Sequence, residues 1–450
     1  MDIQCVPAFI LGIITIIAVL CLIFRWFGLK KVRSFYVWIG VLAVLGGAWA
    51  FLFPLAINAD FGKDGDGAAL RQMLIYTTGG VLGVITLGEN HRKNSLEKAK
   101  NDQDHLRQVH AERRSRYTTA VEQLSSDKAS IRLGGVYTLV GLVDEWLSDE
   151  KTTPSPEKRR KEGQVIINNL CAYIRSPFLL AERAEQLDRP YAKDLKKDFG
   201  SDTEKFDADK RGFSQDKATL EEERQVRQSI IKAIRERLQG FGAPGPWSNF
   251  DYDFSNTLFF YSTNFMFSHF DAFSYFHGVT FTQNADFSWA KFTGHADFSW
   301  AEFTGSTHFS SAIFTDSASF SGAEFTGSTH FSSAIFADSA SFSWAEFTGD
   351  AHFSGAEFTS ANFSGATFEE KPIFERALGD KTYKARFSCK ANPEDYNFEV
   401  SPASPYKIET EEQEHNGAKF IIPKGTELLT PTNLPSRATT AATKIFLDAK

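Results

Sequence analysis

Phenylalanine recurs at alternating steps of five and six residues from Phe254 to Phe353, then at three steps of five and one of six to Phe374. In all, 23 phenylalanines follow this spacing. Neither the 3.6-residue period of a helix nor the two-residue period of a strand produces it. A fixed internal period indicates units that stack on one another, so it limits the fold of this region more than any other feature of the chain.

Each phenylalanine belongs to a short unit with a regular pattern. A small residue stands two positions before it, as at Ala285, Ala290 and Ala296, and Ser or Thr usually follows it. Successive side chains of a strand point to opposite sides. A small inward residue, one outward residue and then an inward phenylalanine therefore predict a very short strand. Glycine and polar residues then turn the chain. Strands and corners in alternation predict a solenoid.

A near-exact duplication sets the length of one coil. The segments His308–Thr329 and His330–Ala351 agree at 18 of 22 positions, and each holds four phenylalanines. The duplicated unit is therefore 22 residues long, which predicts a four-sided coil with one extra residue at two of its corners.

The segments Ala285–Trp289 (ADFSW) and Ala361–Gly365 (ANFSG) resemble the motif of the pentapeptide-repeat family, in its Phe-rich, membrane-anchored bacterial form. The resemblance implies an all-β, right-handed quadrilateral β-helix over residues 250–376. The 11-residue period departs from the strict five of the family. A weaker resemblance, over Tyr117–Tyr137, is to the helical segment that accompanies such repeats.

Three apolar stretches precede the helical part, at residues 7–24, 37–57 and 72–88, and they predict a membrane anchor over residues 1–90 with two to three transmembrane helices. The N-terminus lacks the basic residues of a signal peptide, which favours an uncleaved anchor. Lys and Arg lie between the first two stretches and directly after the third. The positive-inside rule then predicts a multi-pass protein of the cell membrane with its repeat domain in the cytoplasm, provided that the third stretch spans.

The sequence predicts a cytoplasmic helical region at residues 91–245. Apolar spacing and composition indicate helices at Glu89–Gln123, Ser130–Trp146, Gln164–Arg175 and Leu220–Leu238. The segment at 151–163, with two prolines, predicts a loop, and the mixed charges of 181–218 predict a flexible or solvated linker.

The phenylalanine period ends at Phe374. Residues 377–450 hold few long apolar runs and predict a largely irregular C-terminal tail. Within it, residues 406–422 are compatible with short strands, because Asn416-Gly417 is a hairpin signal.

Composition excludes several classes of site. The four cysteines lie far apart in the chain and form neither a zinc pattern nor a disulfide framework. No pairing of nucleophile and base, phosphate-binding glycine loop or HExxH motif is present. We therefore predict no catalytic residue, no metal site, no cofactor and no enzymatic activity.

Two columns at the 22-residue spacing are predicted to point outward, and one ladder inward. The outward columns are the candidate interaction positions: Trp300 and Trp344, and His308, His330 and His352. The interior ladder is represented by Phe287, Phe309, Phe331 and Phe353. The tryptophans are interpreted either as interface anchors or as corner packing. The histidines are interpreted either as a metal-binding ladder or as solvent-facing residues.

Two functional hypotheses remain. The first is a membrane-anchored, non-enzymatic scaffold whose partners are the lipid bilayer and an unidentified protein. The alternative is a DNA mimic that binds a topoisomerase or another DNA-binding protein, as some pentapeptide-repeat proteins are thought to do. From Phe254 to Phe374 there are 12 acidic residues against Lys291 and Lys371, which suits either hypothesis. The net charge of −7 argues against nucleic acid itself as a partner.

Overall fold

The computed structural model describes residues 10–17, 19, 35–56, 66–191, 202–240 and 243–429. The chain forms two compact units, Met1–Ala111 and Glu112–Lys450. Each unit is described by itself.

The N-terminal unit is helical. Residues 10–17 are helical, and they are followed by α1 (Phe35–Ala56) and by the start of α2 (Asp66–Leu124). Among the described residues, one helix, Ala69–Leu124, is long and apolar enough to cross a membrane, by length and composition. Of the two to three predicted spans, the described residues show this one; the described apolar part of α1, Ala43–Phe53, is shorter. The predicted spans at 7–24 and 37–57 lie partly outside the described residues.

The first half of the second unit is a helical layer. After the end of α2 come α3 (Ala129–Ser148), α4 (Pro156–Arg175), a 3-10 turn (Leu179–Arg183), α5 (Ala184–Asp188) and α6 (Thr203–Leu238). Their apolar faces meet in one core that includes Val136, Leu139, Ile167 and Ile230, all fully buried. The four predicted helices are therefore present.

Two helix starts differ from the predictions. Helix α4 begins at Pro156, inside the predicted loop, because proline suits the first helical turn and the Ser155 side chain accepts a hydrogen bond from the Lys158 amide. Helix α6 begins at Thr203, inside the predicted charged linker, where Asp202 caps it through the Lys205 amide. Its first turns are mostly exposed, so their charges are compatible with a helix. Residues 192–201 of that linker lie outside the described residues.

The second half of this unit is a parallel β-solenoid. Its strands are β1 (Tyr252–Asp253), β2 (Leu258–Phe259), β3 (Thr263–Asn264), β4 (His269–Phe270), β5 (Ser274–Tyr275), β6 (Thr280–Phe281), β7 (Ala285–Asp286), β8 (Lys291–Phe292), β9 (Ala296–Asp297), β10 (Glu302–Phe303), β11 (Thr307–His308), β12 (Ile313–Phe314), β13 (Ala318–Ser319), β14 (Glu324–Phe325), β15 (Thr329–His330), β16 (Ile335–Ser341), β17 (Glu346–Phe347), β18 (Ala351–His352), β19 (Glu357–Asn362) and β20 (Thr367–Phe368).

These strands stack into four faces, as the duplication predicted. Face 1 stacks β1, β5, β9 and β13, face 2 stacks β2, β6, β10, β14, β17 and β20, face 3 stacks β3, β7, β11, β15 and β18, and face 4 stacks β4, β8 and β12. The longer β16 and β19 run across faces 4 and 1. Every pairing among β1–β20 is parallel, and most join residues 22 apart, such as Phe303 with Phe325. The predicted four-sided β-helix is confirmed, at about five turns.

Two kinds of corner explain the alternating step. The tight corner, which follows faces 1 and 3, is a four-residue turn; in one of them the Ala290 amide donates to the Phe287 carbonyl over 3.0 Å, and Trp289 has φ +61°. The wide corner, which follows faces 2 and 4, holds one more residue, as between Phe303 and Phe309. The step is therefore five at tight corners and six at wide ones, except that the corner after face 4 has lost its extra residue between Phe358 and Phe363.

The C-terminal segment corrects the prediction of a largely irregular tail. Residues 375–429 form β21 (Glu375–Leu378), β22 (Lys381–Lys384), β23 (Arg386–Ser388), β24 (Tyr396–Asn397), β25 (Thr410–His415), β26 (Ala418–Pro423) and β27 (Glu427–Leu429). The β25–β26 hairpin turns at Asn416-Gly417, the predicted signal. Strands β23 and β24 pair with β19, because Phe387 and Phe398 continue the phenylalanine stacks after an interruption. Residues 430–450 lie outside the described part.

The helical layer covers the first coil of the solenoid. The Gln164 side chain donates to the Asp251 carbonyl (2.8 Å) and accepts from the Asp251 amide (2.9 Å). The ring of Phe178 stacks on Phe260 at 5.8 Å. The helical layer thus covers part of the open edge of the first coil and satisfies the backbone groups of Asp251, which is one way that proteins protect a sheet edge.

Candidate interaction surface

The interior of the solenoid is filled by phenylalanine. Phe287, Phe309, Phe331 and Phe353 are fully buried and stack on one another at centroid distances of 4.9, 5.1 and 5.3 Å. Rings from neighbouring faces meet edge to face, as for Phe309 and Phe320 at 5.3 Å. This packing leaves the outward positions and the corners as the surfaces available for binding.

The tryptophans lie at the tight corner between faces 1 and 2. The exposed fractions of Trp300 and Trp344 are 65% and 70%, which are high values for such large apolar side chains. Their φ angles are +58° and +59°, in the left-handed region that costs a residue with a β-carbon about 1 kcal/mol. The equivalent corner positions in the coils between and after them are Gly322 and Gly365, which suit this backbone without that cost.

Each tryptophan ring lies flat against the glycine of the next coil. A β-carbon built on Gly322 would lie 2.9–3.0 Å from three adjoining ring atoms of Trp300, namely Cδ2, Cε3 and Cζ3. A β-carbon on Gly365 would meet the Trp344 ring in the same way, at 2.9–3.0 Å. Near-equal distances to adjoining atoms indicate a face-on contact. The two indoles therefore share one orientation along the corner.

Face 2 carries a ladder of carboxylates beside this corner. Glu302, Glu324 and Glu346 are in register on consecutive strands and point outward. Burial raises the pKa of Glu324, and the neighbouring carboxylates of Glu302 and Glu346 raise it further. None of the three forms an ion pair with a described residue. Their negative charge is therefore not neutralised within the described solenoid.

Face 3 carries the histidine column. The rings of His308, His330 and His352 stack in parallel at 4.9 and 4.7 Å. Burial, and to a smaller extent the neighbouring His352, His308 and Arg376, lower the pKa of His330 to about 4. Burial also lowers the pKa of His352. The described residues hold no cluster of three or more side chains suited to a metal ion. His330 is therefore neutral at pH 7.

The structure separates the two predicted outward columns. The tryptophans border one edge of face 2, and the histidines lie on face 3, beyond the wide corner at the other edge. What lies beside the tryptophans is the glutamate ladder, which sequence reasoning did not single out. The signal was present in the sequence, because each AEF triplet at 301–303, 323–325 and 345–347 begins one residue after position 300, 322 or 344.

Comparison with known proteins supports the repeat assignment. The family model described as pentapeptide repeats (9 copies) matches residues 276–323 and again residues 320–367. No curated protein and no solved structure matches the chain. The matched residues coincide with the phenylalanine-lined coils, so these coils are pentapeptide repeats by the family model as well as by their geometry.

Proposed function

We propose that this protein is a membrane-anchored, non-enzymatic scaffold whose solenoid presents its sides to a protein partner. One observation carries the proposal. The solenoid buries the phenylalanines of its repeat spacing and displays an ordered ladder of side chains on each face, with two exposed tryptophans at one corner. Pentapeptide-repeat solenoids are generally non-enzymatic. Exposed tryptophans are enriched at the centres of protein interfaces.

The membrane part of the proposal rests on Ala69–Leu124 and on charge. Its apolar first turns are followed by Arg92 and Lys93. Lys and Arg accumulate on the cytoplasmic side of membrane proteins, so we place the solenoid in the cytoplasm. A reporter enzyme fused after Lys450, active only in the cytoplasm, tests this orientation. Activity is expected, and a reporter that works only outside the cell would contradict it.

Site-directed photo-crosslinking in intact cells tests the scaffold itself. A photoreactive amino acid is placed at one outward position on each face: Ser341, Glu324, His330 and Ile313. The control position is Leu179, which is 89% exposed on the helical layer. We expect a discrete protein adduct from at least one face and none from Leu179. The absence of adducts at all four faces would refute the scaffold proposal.

The acidic composition of the solenoid supports a second candidate, DNA mimicry. The 12 acidic residues between Phe254 and Phe374 exceed the two lysines, and such a surface could occupy the DNA site of a topoisomerase. The test is a supercoiling assay with the purified full chain in detergent. Inhibition that disappears in the Glu302→Gln, Glu324→Gln, Glu346→Gln triple variant would favour mimicry over the scaffold. Undiminished supercoiling in the presence of excess protein would contradict the DNA-mimicry hypothesis.

A further inference from the structure

The corner between faces 1 and 2 contains a gap between two parallel indoles. Its successive positions are Trp300, Gly322 and Trp344, one per coil. Strands stack about 4.8 Å apart, so the two rings lie two coils, or about 9.6 Å, apart. The glycine between them contributes no side chain. We call this space, bounded by Trp300, Gly322 and Trp344, the indole slot.

The size of the indole slot suits one planar group. Elsewhere in the solenoid, aromatic rings in consecutive coils stack at close to 5 Å, as Phe303 and Phe325 do at 4.9 Å. The Trp300 ring lies against Gly322, so the open space is on the Trp344 side of that glycine. A flat group placed midway between the two indoles would have one ring about 4.8 Å away on each side. The slot is therefore a column of three corner positions in which only the first and the third carry an aromatic ring.

The charge beside the indole slot selects the kind of planar group. Glu324 lies on the same coil as Gly322, and Glu302 and Glu346 lie on the coils of the two tryptophans. These carboxylates repel phosphate and attract cations. A guanidinium is planar, stacks on aromatic faces and pairs with carboxylates through two parallel hydrogen bonds. An ammonium group has the charge but not the planarity.

From this geometry we infer that the indole slot binds an arginine side chain of an extended basic segment in a protein partner. The guanidinium lies between Trp300 and Trp344 and pairs with Glu324, while neighbouring cations of the segment face Glu302 and Glu346. This inference deepens the proposed scaffold function and rests on it, because it names the chemistry of the partner.

The near-exact duplication supplies the variant that tests the inference. Gly322 and Trp344 are equivalent positions in the two copies, so Gly322→Trp fills the slot with a residue that this corner already carries. The Trp300 ring must shift to admit a β-carbon at Gly322, which would lie 2.9–3.0 Å from it. The other tight corner shows that consecutive coils can carry stacked aromatic side chains, since Phe267 and Trp289 stack at 6.2 Å. Ser311→Trp is the matched control, because it adds a tryptophan at that other corner, at φ +57°, without changing the net charge.

The experiment measures fluorescence anisotropy of a labelled peptide of alternating arginine and glycine, with the full chain in detergent at fixed ionic strength. We expect Gly322→Trp to weaken binding at least tenfold and Ser311→Trp to change it less than twofold. A peptide in which citrulline replaces arginine keeps the planar shape without the charge and is expected not to bind. Equal affinities of Gly322→Trp and the wild type would overturn the inference.

Two further variants keep the test decisive if Gly322→Trp does not fold. Trp344→Gly removes one wall of the slot, and Trp289→Gly removes a tryptophan from the other tight corner as its control. Only Trp344→Gly is expected to weaken binding of the peptide. Concentration-dependent dimers lost in Trp344→Gly would instead assign the slot to a second copy of the chain and overturn the inference.

The outcome separates this inference from the proposed function. If photo-adducts form on the solenoid faces and persist in Gly322→Trp, the scaffold stands and the slot inference fails. If no face forms an adduct, the scaffold fails whatever the peptide does.

Discussion

At the scale of single residues, the tight corners hold a backbone conformation that most side chains avoid. Seven of the corner residues with positive φ are not glycine, and three of them are tryptophans: Asn256, Phe267, Trp289, Trp300, Ser311, Ser333 and Trp344. The solenoid tolerates this cost because stacked coils hold each corner in place. Glycine at the same positions, as at Gly322 and Gly365, would remove this backbone cost, so the φ angle by itself does not favour tryptophan there.

This cost can be measured by comparing two substitutions at Trp344. Both Trp344→Gly and Trp344→Ala remove the exposed indole, but only alanine keeps a β-carbon at φ +59°. We expect the glycine variant to be more stable than the alanine variant by about 1 kcal/mol in free energy of unfolding. Urea titration of the purified chain, followed by pulse proteolysis, measures the difference. Equal stabilities would show that the corner relaxes to negative φ.

At the scale of elements, a buried cation joins two helices of the helical layer. Arg227 of α6 is 3% exposed, and its guanidinium donates to the carbonyls of Ile174 (2.6 Å) and Ser176 (2.7 Å) at the end of α4. It also donates to Glu223 over 2.7 Å. A cation at a helix C-terminus complements the partial negative charge there.

Replacement of Arg227 by methionine therefore leaves buried acceptors without a donor. Glu223 keeps Arg132 at 3.4 Å, so we expect a loss of about 3 kcal/mol, at the lower end for a broken buried pair. Lys232→Met on the same helix is the control, because Lys232 is exposed and is expected to change stability by less than about 0.5 kcal/mol. Thermal unfolding of both variants checks the contrast, and equal melting temperatures would contradict it.

The elements that the sequence predicted are those with a local period. The solenoid followed from its phenylalanine spacing, because stacked coils repeat the same contacts at the same step. Strands β23 and β24 were missed since Phe387 and Phe398 stack on Phe358 and Phe363 across intervals longer than 22 residues. Inserted loops carry no period. The early starts of α4 and α6 were missed because exposed, charged helical turns resemble a solvated linker.

The candidate surface was predictable in part. The columns of tryptophan and histidine follow from the 22-residue step alone. The pairing of Trp300 and Trp344 with the glutamate ladder requires the order of the faces around the coil and the outward direction of each side chain. A charge count over the whole solenoid averages that ladder with acidic residues on other faces, and so conceals it.

At the scale of the whole second unit, both ends of the solenoid are covered. The helical layer satisfies the first coil through Gln164, and strands β23 and β24 pair with β19 at the other end. An uncovered parallel sheet edge offers unpaired backbone groups and exposed rings to other molecules. Repeat proteins need such terminal caps to stay soluble. The C-terminal strands therefore act as a cap of the solenoid.

Truncation tests this cap. A chain that ends after Phe374 loses β21–β27 and exposes Phe358 and Phe363, whose outer faces are covered by Phe387 and Phe398. We expect it to aggregate or to be degraded, whereas a chain that ends after Leu429 keeps every described strand and unfolds at the temperature of the full chain. Size-exclusion chromatography in detergent detects aggregation of each truncated chain, and thermal unfolding compares its melting temperature with that of the full chain. A monodisperse shorter chain with an unchanged melting temperature would show that the last coil needs no cover, and that β21–β27 serve another purpose.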